Sequence, residues 1–265
     1  MVEVEVDGLV VAYNQAGGGP PLVLLHGFTH DSRVWRLQLQ RLSSHFSVVA
    51  WDAPGAGRSG DPPATFGIGD WAHCLAGLLT SVGAEPAHLV GLSWGGLLAQ
   101  EFYRRYPERV LSLVLADTYA GWKGSFPEPT PRERLAACWR DSSLRPGEFV
   151  RRYLPAMLSD SASQELRNDL AEIMSGFHPL GFRLMAKALA ETDTRDLLAQ
   201  IAVPTLLIWG DADVRSPLEV AQQMHTAIPG SELAIIPGAG HVSNMEAPDE
   251  FTTLVEEFCG KHGKL

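Results

Sequence analysis

Five short and largely apolar runs, Leu22–Leu25, Val48–Trp51, His88–Val90, Leu113–Leu115 and Thr205–Ile208, constrain this chain more than any other feature. A strand with one buried face alternates apolar and polar side chains, whereas a short run without alternation suits a strand covered on both faces. Amphipathic helical stretches, such as Trp71 to Val82 and Leu97 to Tyr106, lie between the earlier runs. Alternating strand and helix predicts an α/β protein built on a doubly wound, mostly parallel sheet. At the start, Val2, Val4 and Val6 alternate with acidic residues, and Val10 and Ala12 follow Asp7-Gly8, which predicts an antiparallel hairpin at one edge. A last strand at Leu233–Ile236 leads into a Gly-rich turn at 238–240 and a closing helix near Asp249 to Cys259.

Between Tyr119 and about Ala199 the alternation stops. Prolines at 127, 129 and 131 give way to helical segments rich in Leu, Met, Trp and Phe. The expected organisation is therefore a core formed by residues 1–119 and 200–265, interrupted by a helical cap insertion at 120–199. Trp139, Tyr153, Met157, Met174, Phe177 and Met185 are expected mostly to pack the core of that insertion.

Charge and cysteine content exclude several function classes. A formal charge of -10 lacks the basic surface that an unassisted nucleic-acid binder needs. The opening Met-Val-Glu-Val-Glu-Val-Asp carries neither the basic flank nor the apolar run of a secretory signal, and no stretch approaches the length of a membrane span. The expectation is a cytoplasmic protein with a small-molecule substrate, no nucleic acid and no membrane; its oligomeric state is not legible. Cys74, Cys138 and Cys259 are odd in number and contain no CxxC pair, so reduced, helix-packed thiols are expected instead of disulfides or a zinc site.

The chemistry centres on Gly91-Leu92-Ser93-Trp94-Gly95, which follows the run at 88–90 and precedes the helical stretch at 97–106. A serine on a strained strand-to-helix turn needs glycine two residues away on each side, so that neighbouring backbones close in without a Cβ clash. Its hydroxyl is a poor nucleophile alone and requires a base, for which an imidazole oriented by a carboxylate is the common solution. Among nine histidines, His241 is the candidate, because Pro237-Gly238-Ala239-Gly240 places it on a flexible turn just after the last strand.

The matching acid should lie on the loop after the penultimate strand, where Asp211 and Asp213 both stand. Asp213 sits deeper in that loop, while Asp211 is expected to fix the turn by bonding nearby amides. Asp117, at the end of the strand after the nucleophile helix, is the reserve acid. An oxyanion hole would use the amides of Phe28 and Trp94. His26 is expected to brace this loop, and the side chains of Phe28, His30 and Trp94 are candidates for substrate contact. No metal or organic cofactor is required by such a set.

With those pieces assembled, the chain resembles the α/β-hydrolase superfamily over nearly its whole length. The resemblance rests on His26-Gly27-Phe28, Asp52-Ala53-Pro54-Gly55-Ala56-Gly57-Arg58-Ser59, Gly91 to Gly96, Tyr106-Pro107-Glu108-Arg109-Val110, Gly210 to Asp213, and Gly240-His241. It implies an α/β-hydrolase fold with a helical cap, and similarity to small bacterial esterases, enol-lactone hydrolases, cofactor-free haloperoxidases and carbon-carbon bond hydrolases. The last group carries a Gly-rich loop where this chain has Phe28-Thr29-His30-Asp31, a departure that argues for an ester or lactone. Haloalkane dehalogenases carry aspartate at the position of Ser93. A ligand receptor on the same fold is the non-enzymatic alternative.

Overall fold

The structure, a computed structural model, describes residues 2–263. Eight strands form one sheet: β1 (Val2–Val6), β2 (Leu9–Ala16), β3 (Pro21–Leu25), β4 (Ser47–Trp51), β5 (Ala87–Leu92), β6 (Val110–Ala116), β7 (Thr205–Gly210) and β8 (Glu232–Ile236). Their order is β1-β2-β4-β3-β5-β6-β7-β8; β1 with β2 and β2 with β4 are antiparallel, and all other neighbours are parallel. The β1–β2 hairpin turns at Asp7 and Gly8, whose φ values of 48° and 79° supply the left-handed pair that a two-residue turn demands. Val10 faces solvent and Val11 is buried instead, a local departure from the alternation expected there.

Every residue of β5 and β7 is buried, which explains why those segments read as unbroken apolar runs. The edge strand β8 is wetter: Glu232 and Ile235 are exposed. Because β3 to β8 run in one direction, the loops leaving their carboxyl ends gather along one rim of the sheet. In an open α/β sheet this rim is where ligands bind.

Among the described residues, twelve α-helices accompany the strands. In chain order they are α1 (Arg36–Leu42), α2 (Ile68–Val82) and α3 (Trp94–Arg105), then α4 (Trp122–Ser125), α5 (Thr130–Asp141), α6 (Pro146–Tyr153), α7 (Gln164–Ser175), α8 (Pro179–Glu191) and α9 (Arg195–Leu198), and last α10 (Leu218–Ala227), α11 (Ser243–Glu246) and α12 (Pro248–His262). Helix α2 stops at Gly83, which takes the left-handed φ of 64° that ends a helix without a Cβ penalty. The thiols of Cys74, Cys138 and Cys259 sit buried and free on α2, α5 and α12. Burial pushes Cys74 and Cys259 up to about 12.

Helices α4 to α9, with no strand among them, form the cap between β6 and β7. Tyr153, Met157, Met174 and Met185 are buried as expected, and Phe177 stacks on Phe149 with ring centroids 3.7 Å apart. Trp139 departs from that expectation: it is 55% exposed. The buried stripe of α5 and its C-cap runs through Pro131, Cys138 and Ser142, and Trp139 falls outside it. Cap and core backbones approach closely at Gly55 and Gly181, where a Cβ on either would overlap the other's backbone. Phe182 of α8 stacks on Phe28 of the core at 5.2 Å. Fully burying an aromatic ring of this kind contributes about 1.5–3 kcal/mol, so this contact helps hold the cap against the sheet rim. Among the described residues no helix is long and apolar enough to cross a membrane.

Candidate active site

Strand β5 ends at Leu92, and α3 begins at Trp94. Ser93 between them has φ 55° and ψ -116°, a backbone conformation that an L-residue adopts only when its surroundings enforce it. The enforcement is steric. A Cβ on Gly91 would overlap the Gly95 backbone, and one on Gly95 would overlap the Leu25 carbonyl. The Ser93 amide donates to Ala116 O at 2.8 Å, and its carbonyl accepts from Thr118 Oγ1 at 2.5 Å. With the backbone fixed, the hydroxyl is the group left to project from the turn.

His241 Nε2 lies 2.9 Å from Ser93 Oγ, and His241 Nδ1 lies 2.7 Å from Asp213 Oδ2. All three residues are buried. The second oxygen of Asp213 accepts from the amides of Arg215 at 2.7 Å and Ser216 at 3.0 Å, so the carboxylate is oriented from behind. A carboxylate accepts only, which puts the proton on Nδ1 and leaves the Nε2 lone pair facing the serine hydroxyl. Such an arrangement can draw a proton from Ser93 and return it to a leaving group.

The other two carboxylates on this rim do different work. Asp211 Oδ1 accepts from the Gly238 amide at 2.6 Å and so ties the loop after β7 to the turn after β8. Asp117 accepts from the Gly210 amide at 2.9 Å and from Ser243 Oγ at 2.6 Å. It therefore clamps the loops that carry Asp213 and His241, and does not meet the imidazole. Burial, and then the nearby Asp213 charge, hold its carboxyl well above the usual aspartate range.

The loop after β3 lies against the serine turn: a Cβ on Gly27 would sit 3.5 Å from Ser93 Cβ. His26 accepts from the Ala53 amide at Nε2, 3.0 Å away, and its Nδ1 donates to Gly27 O at 2.7 Å. The ring thus ties this loop to the turn after β4. Burial keeps it neutral by lowering its affinity for a second proton. Phe28 follows directly, and Trp94 presents the first amide of α3, one of the amides that a helix cannot satisfy internally.

Of the expected substrate-contacting side chains, Phe28 and His30 line a small pocket of about 10 Å³ with Gly55, Phe177, His178 and Phe182. Both ring nitrogens of His30 are buried without a partner, and burial lowers its pKa well below the ordinary histidine value. The Trp94 ring is turned elsewhere, packing edge-on against Trp71 at 5.2 Å. Three further residues, not singled out in the sequence, stand at the site. Tyr119 lies 6.1 Å from His241 between ring centroids. Arg215 places its guanidinium 5.6 Å from the Phe28 ring. Glu246 accepts from the Gly240 amide at 2.7 Å, next to His241, and from Ser159 Oγ of the cap at 2.5 Å. The positions two beyond Asp117 and two beyond Asp213 were the available signals for Tyr119 and Arg215; nothing local marked Glu246. Among the described residues no three His, Cys, Asp or Glu side chains converge as a metal site.

The chain is 31% identical, over 92% of its own length and 96% of the other, to a pimeloyl-[acyl-carrier protein] methyl ester esterase of Vibrio vulnificus. It is 33% identical to a 2-hydroxy-6-oxononadienedioate/2-hydroxy-6-oxononatrienedioate hydrolase of Burkholderia vietnamiensis, over 97% and 94%. A thermophilic esterase from Thermogutta terrifontis superposes with a TM-score of 0.91 at 30% identity, covering 99% of both chains. The sequence profile described as the alpha/beta hydrolase family matches residues 22–254. On that match, and on the sheet and cap that accompany it, the chain belongs to the alpha/beta hydrolase family.

Proposed function

We propose that the chain hydrolyses a carboxylic ester or lactone through an acyl-enzyme on Ser93. The observation that carries this reading is the relay from Ser93 Oγ to His241 Nε2 at 2.9 Å and from His241 Nδ1 to Asp213 at 2.7 Å. His241 takes the hydroxyl proton as Ser93 Oγ bonds to the substrate carbonyl carbon. The amides of Phe28 and Trp94 stabilise the oxyanion. The carbonyl re-forms, the carbon–oxygen bond to the alcohol breaks, and His241 protonates the departing oxygen. Water then repeats the sequence and releases the acid, with Asp213 stabilising the imidazolium in each half.

The helical segment at 120–199 acts as the lid of this site. Because Ser93 is only 2% exposed and the cavity beside Phe28 and His30 is no larger than a water, substrate entry requires the cap to part from the rim. Turnover of short p-nitrophenyl esters and of lactones, with acyl-Ser93 trapped by rapid acid quench and located by peptide mass, tests the reading. Unchanged turnover in Ser93→Ala would refute it.

One observation favours a second reading, the 33% identity to a hydrolase named for dienedioate substrates. Carbon-carbon cleavage would use the same serine and histidine on a vinylogous diketone. Release of a dienoate from such a ring-fission product, at a rate above that for any ester, would decide for it.

A further inference from the structure

Arg215 Nε and Trp122 Nε1 are buried donors without an acceptor, and their side chains line one cleft. Buried polar groups are nearly always paired, so two orphans in one cleft mark a place where something else supplies the partner. Arg215 stands two residues past Asp213 and reaches over the Phe28 ring. Arg134, on α5 of the cap, donates from both terminal nitrogens to the Arg215 carbonyl at 3.2 Å and lies 4.2 Å from the Phe126 ring centroid. Among the described residues neither guanidinium forms an ion pair. Burial lowers the pKa of Arg134, and repulsion by the Arg215 charge adds to it. In a chain of net charge -10, two adjacent unpaired arginines are a local reversal of sign.

Both arginines, with Trp122 and Tyr153, line an open cleft of about 280 Å³. Asp141 also lines it, but that carboxylate accepts from Tyr153 OH at 3.0 Å and pairs with Arg152 at 3.4 Å. The unmatched charge in the cleft is therefore positive. Arg215 connects the cleft to the loop after β3, because its guanidinium lies 5.6 Å from the ring of Phe28. Guanidinium groups match a carboxylate with paired N–H donors, and partial desolvation strengthens the contact.

We infer that this cleft is an anion subsite, and that the substrate is an ester or lactone carrying a carboxylate, held by Arg215 and Arg134 while its reacting carbonyl lies at Ser93. The inference rests on the serine hydrolase reading and narrows it. It also gives the cap a chemical role, since half of the subsite travels with α5.

Two matched substrate pairs test it. On the acyl side, p-nitrophenyl hydrogen glutarate is compared with p-nitrophenyl pentanoate; on the alcohol side, 4-carboxyphenyl butyrate is compared with 4-carbamoylphenyl butyrate. In at least one pair the carboxylate member is expected to show kcat/KM higher by about tenfold or more. Arg134→Gln and Arg215→Gln should bring that ratio toward unity, while Arg140→Gln, exposed on the same helix, should keep it. Equal kcat/KM within both pairs in the wild-type protein overturns the subsite and leaves the hydrolase reading intact. If neither these esters nor any lactone is cleaved, the hydrolase reading falls, and glutarate binding then decides the subsite alone. A glutarate-dependent rise in Tm that the two arginine variants lose supports it, and no rise overturns it.

Discussion

Asp117 Oδ2 accepts a 2.6 Å hydrogen bond from Ser243 Oγ, two residues beyond His241, while Asp117 Oδ1 holds the Gly210 amide, three residues before Asp213. One buried carboxyl thus spans the two loops whose side chains must meet over Ser93. Its position explains how two loops from different strands keep a 2.7 Å contact between Asp213 and His241.

This clamp has a pH signature. The folded state binds the Asp117 proton more tightly than the unfolded chain does, because burial and the Asp213 charge raise its pKa. Its contribution to stability is full below the unfolded pKa and declines as pH rises toward the folded value. Asp117→Asn does not titrate, so the Tm of the variant minus that of the wild type should grow more positive from about pH 5 to about pH 8. Thermal unfolding followed by circular dichroism measures the difference, and a value independent of pH would contradict this account.

Asp213→Asn should fold normally and lose activity by about 10⁴-fold in kcat, because an amide can donate to Nδ1 and so favour the wrong imidazole tautomer. The Tm and the kcat on a common ester are both needed. A loss of less than about tenfold with an unchanged Tm would show that this carboxylate does not orient the base.

Glu246 links the cap to the loop of His241 through Ser159 and Gly240. Glu246→Gln keeps one acceptor oxygen and loses the other, freeing either the Gly240 amide or the Ser159 contacts. A small displacement of the base can cost about 10²-fold, so kcat is expected to fall by about 10- to 100-fold with a smaller change in KM. Steady-state kinetics with a saturable ester check it; an effect confined to KM would place Glu246 in substrate binding instead.

Gly95→Ala should not yield soluble protein at the wild-type level. Its Cβ would overlap the Leu25 carbonyl, and backbone on both sides leaves no flexible side chain to give way. Overpacking of a core commonly costs about 1–3 kcal/mol, occasionally more, and here it would also move the serine. Expression yield, denaturant midpoint and kcat should all fall together; a variant with full stability and full activity would show that the turn relaxes more than the packing suggests.

The three thiols offer a simple check of the core. With Cys74 and Cys259 pushed up to about 12 and Cys138 also raised, almost none is thiolate near neutral pH. Folded protein should resist an aromatic disulfide reagent that titrates all three cysteines after denaturation, and rapid reaction of the native chain would show that one of these helices opens.

Some features were legible because their cause is local. Continuous apolar runs at 22–25 and 205–208 announce strands buried on both faces, since nothing else of that length needs to be apolar on every side. Gly91 and Gly95 announce the turn at Ser93, because a steric demand at fixed offsets leaves the same residues wherever it occurs. Trp139 misled for the same reason in reverse. A large aromatic ring suggests burial, but exposure is set by which face of α5 packs on the rest of the cap, and one residue of offset moves a side chain about 100° around a helix.

What the sequence by itself determined was therefore the sheet, the cap as an interruption of it, and the residue types able to do hydrolytic chemistry. The sequence ranked Asp213 ahead of Asp211 and Asp117, but which of the three meets the His241 ring is visible only in the tertiary structure, since all three leave the same rim and differ in which amides or ring they reach. The tertiary structure also brought Arg134 within hydrogen-bonding distance of Arg215 across 81 positions of chain. The physical reason is that hydrogen bonds and charge pairs form between groups brought close by the packing of the sheet and its cap, and such proximity leaves no periodic trace along the chain.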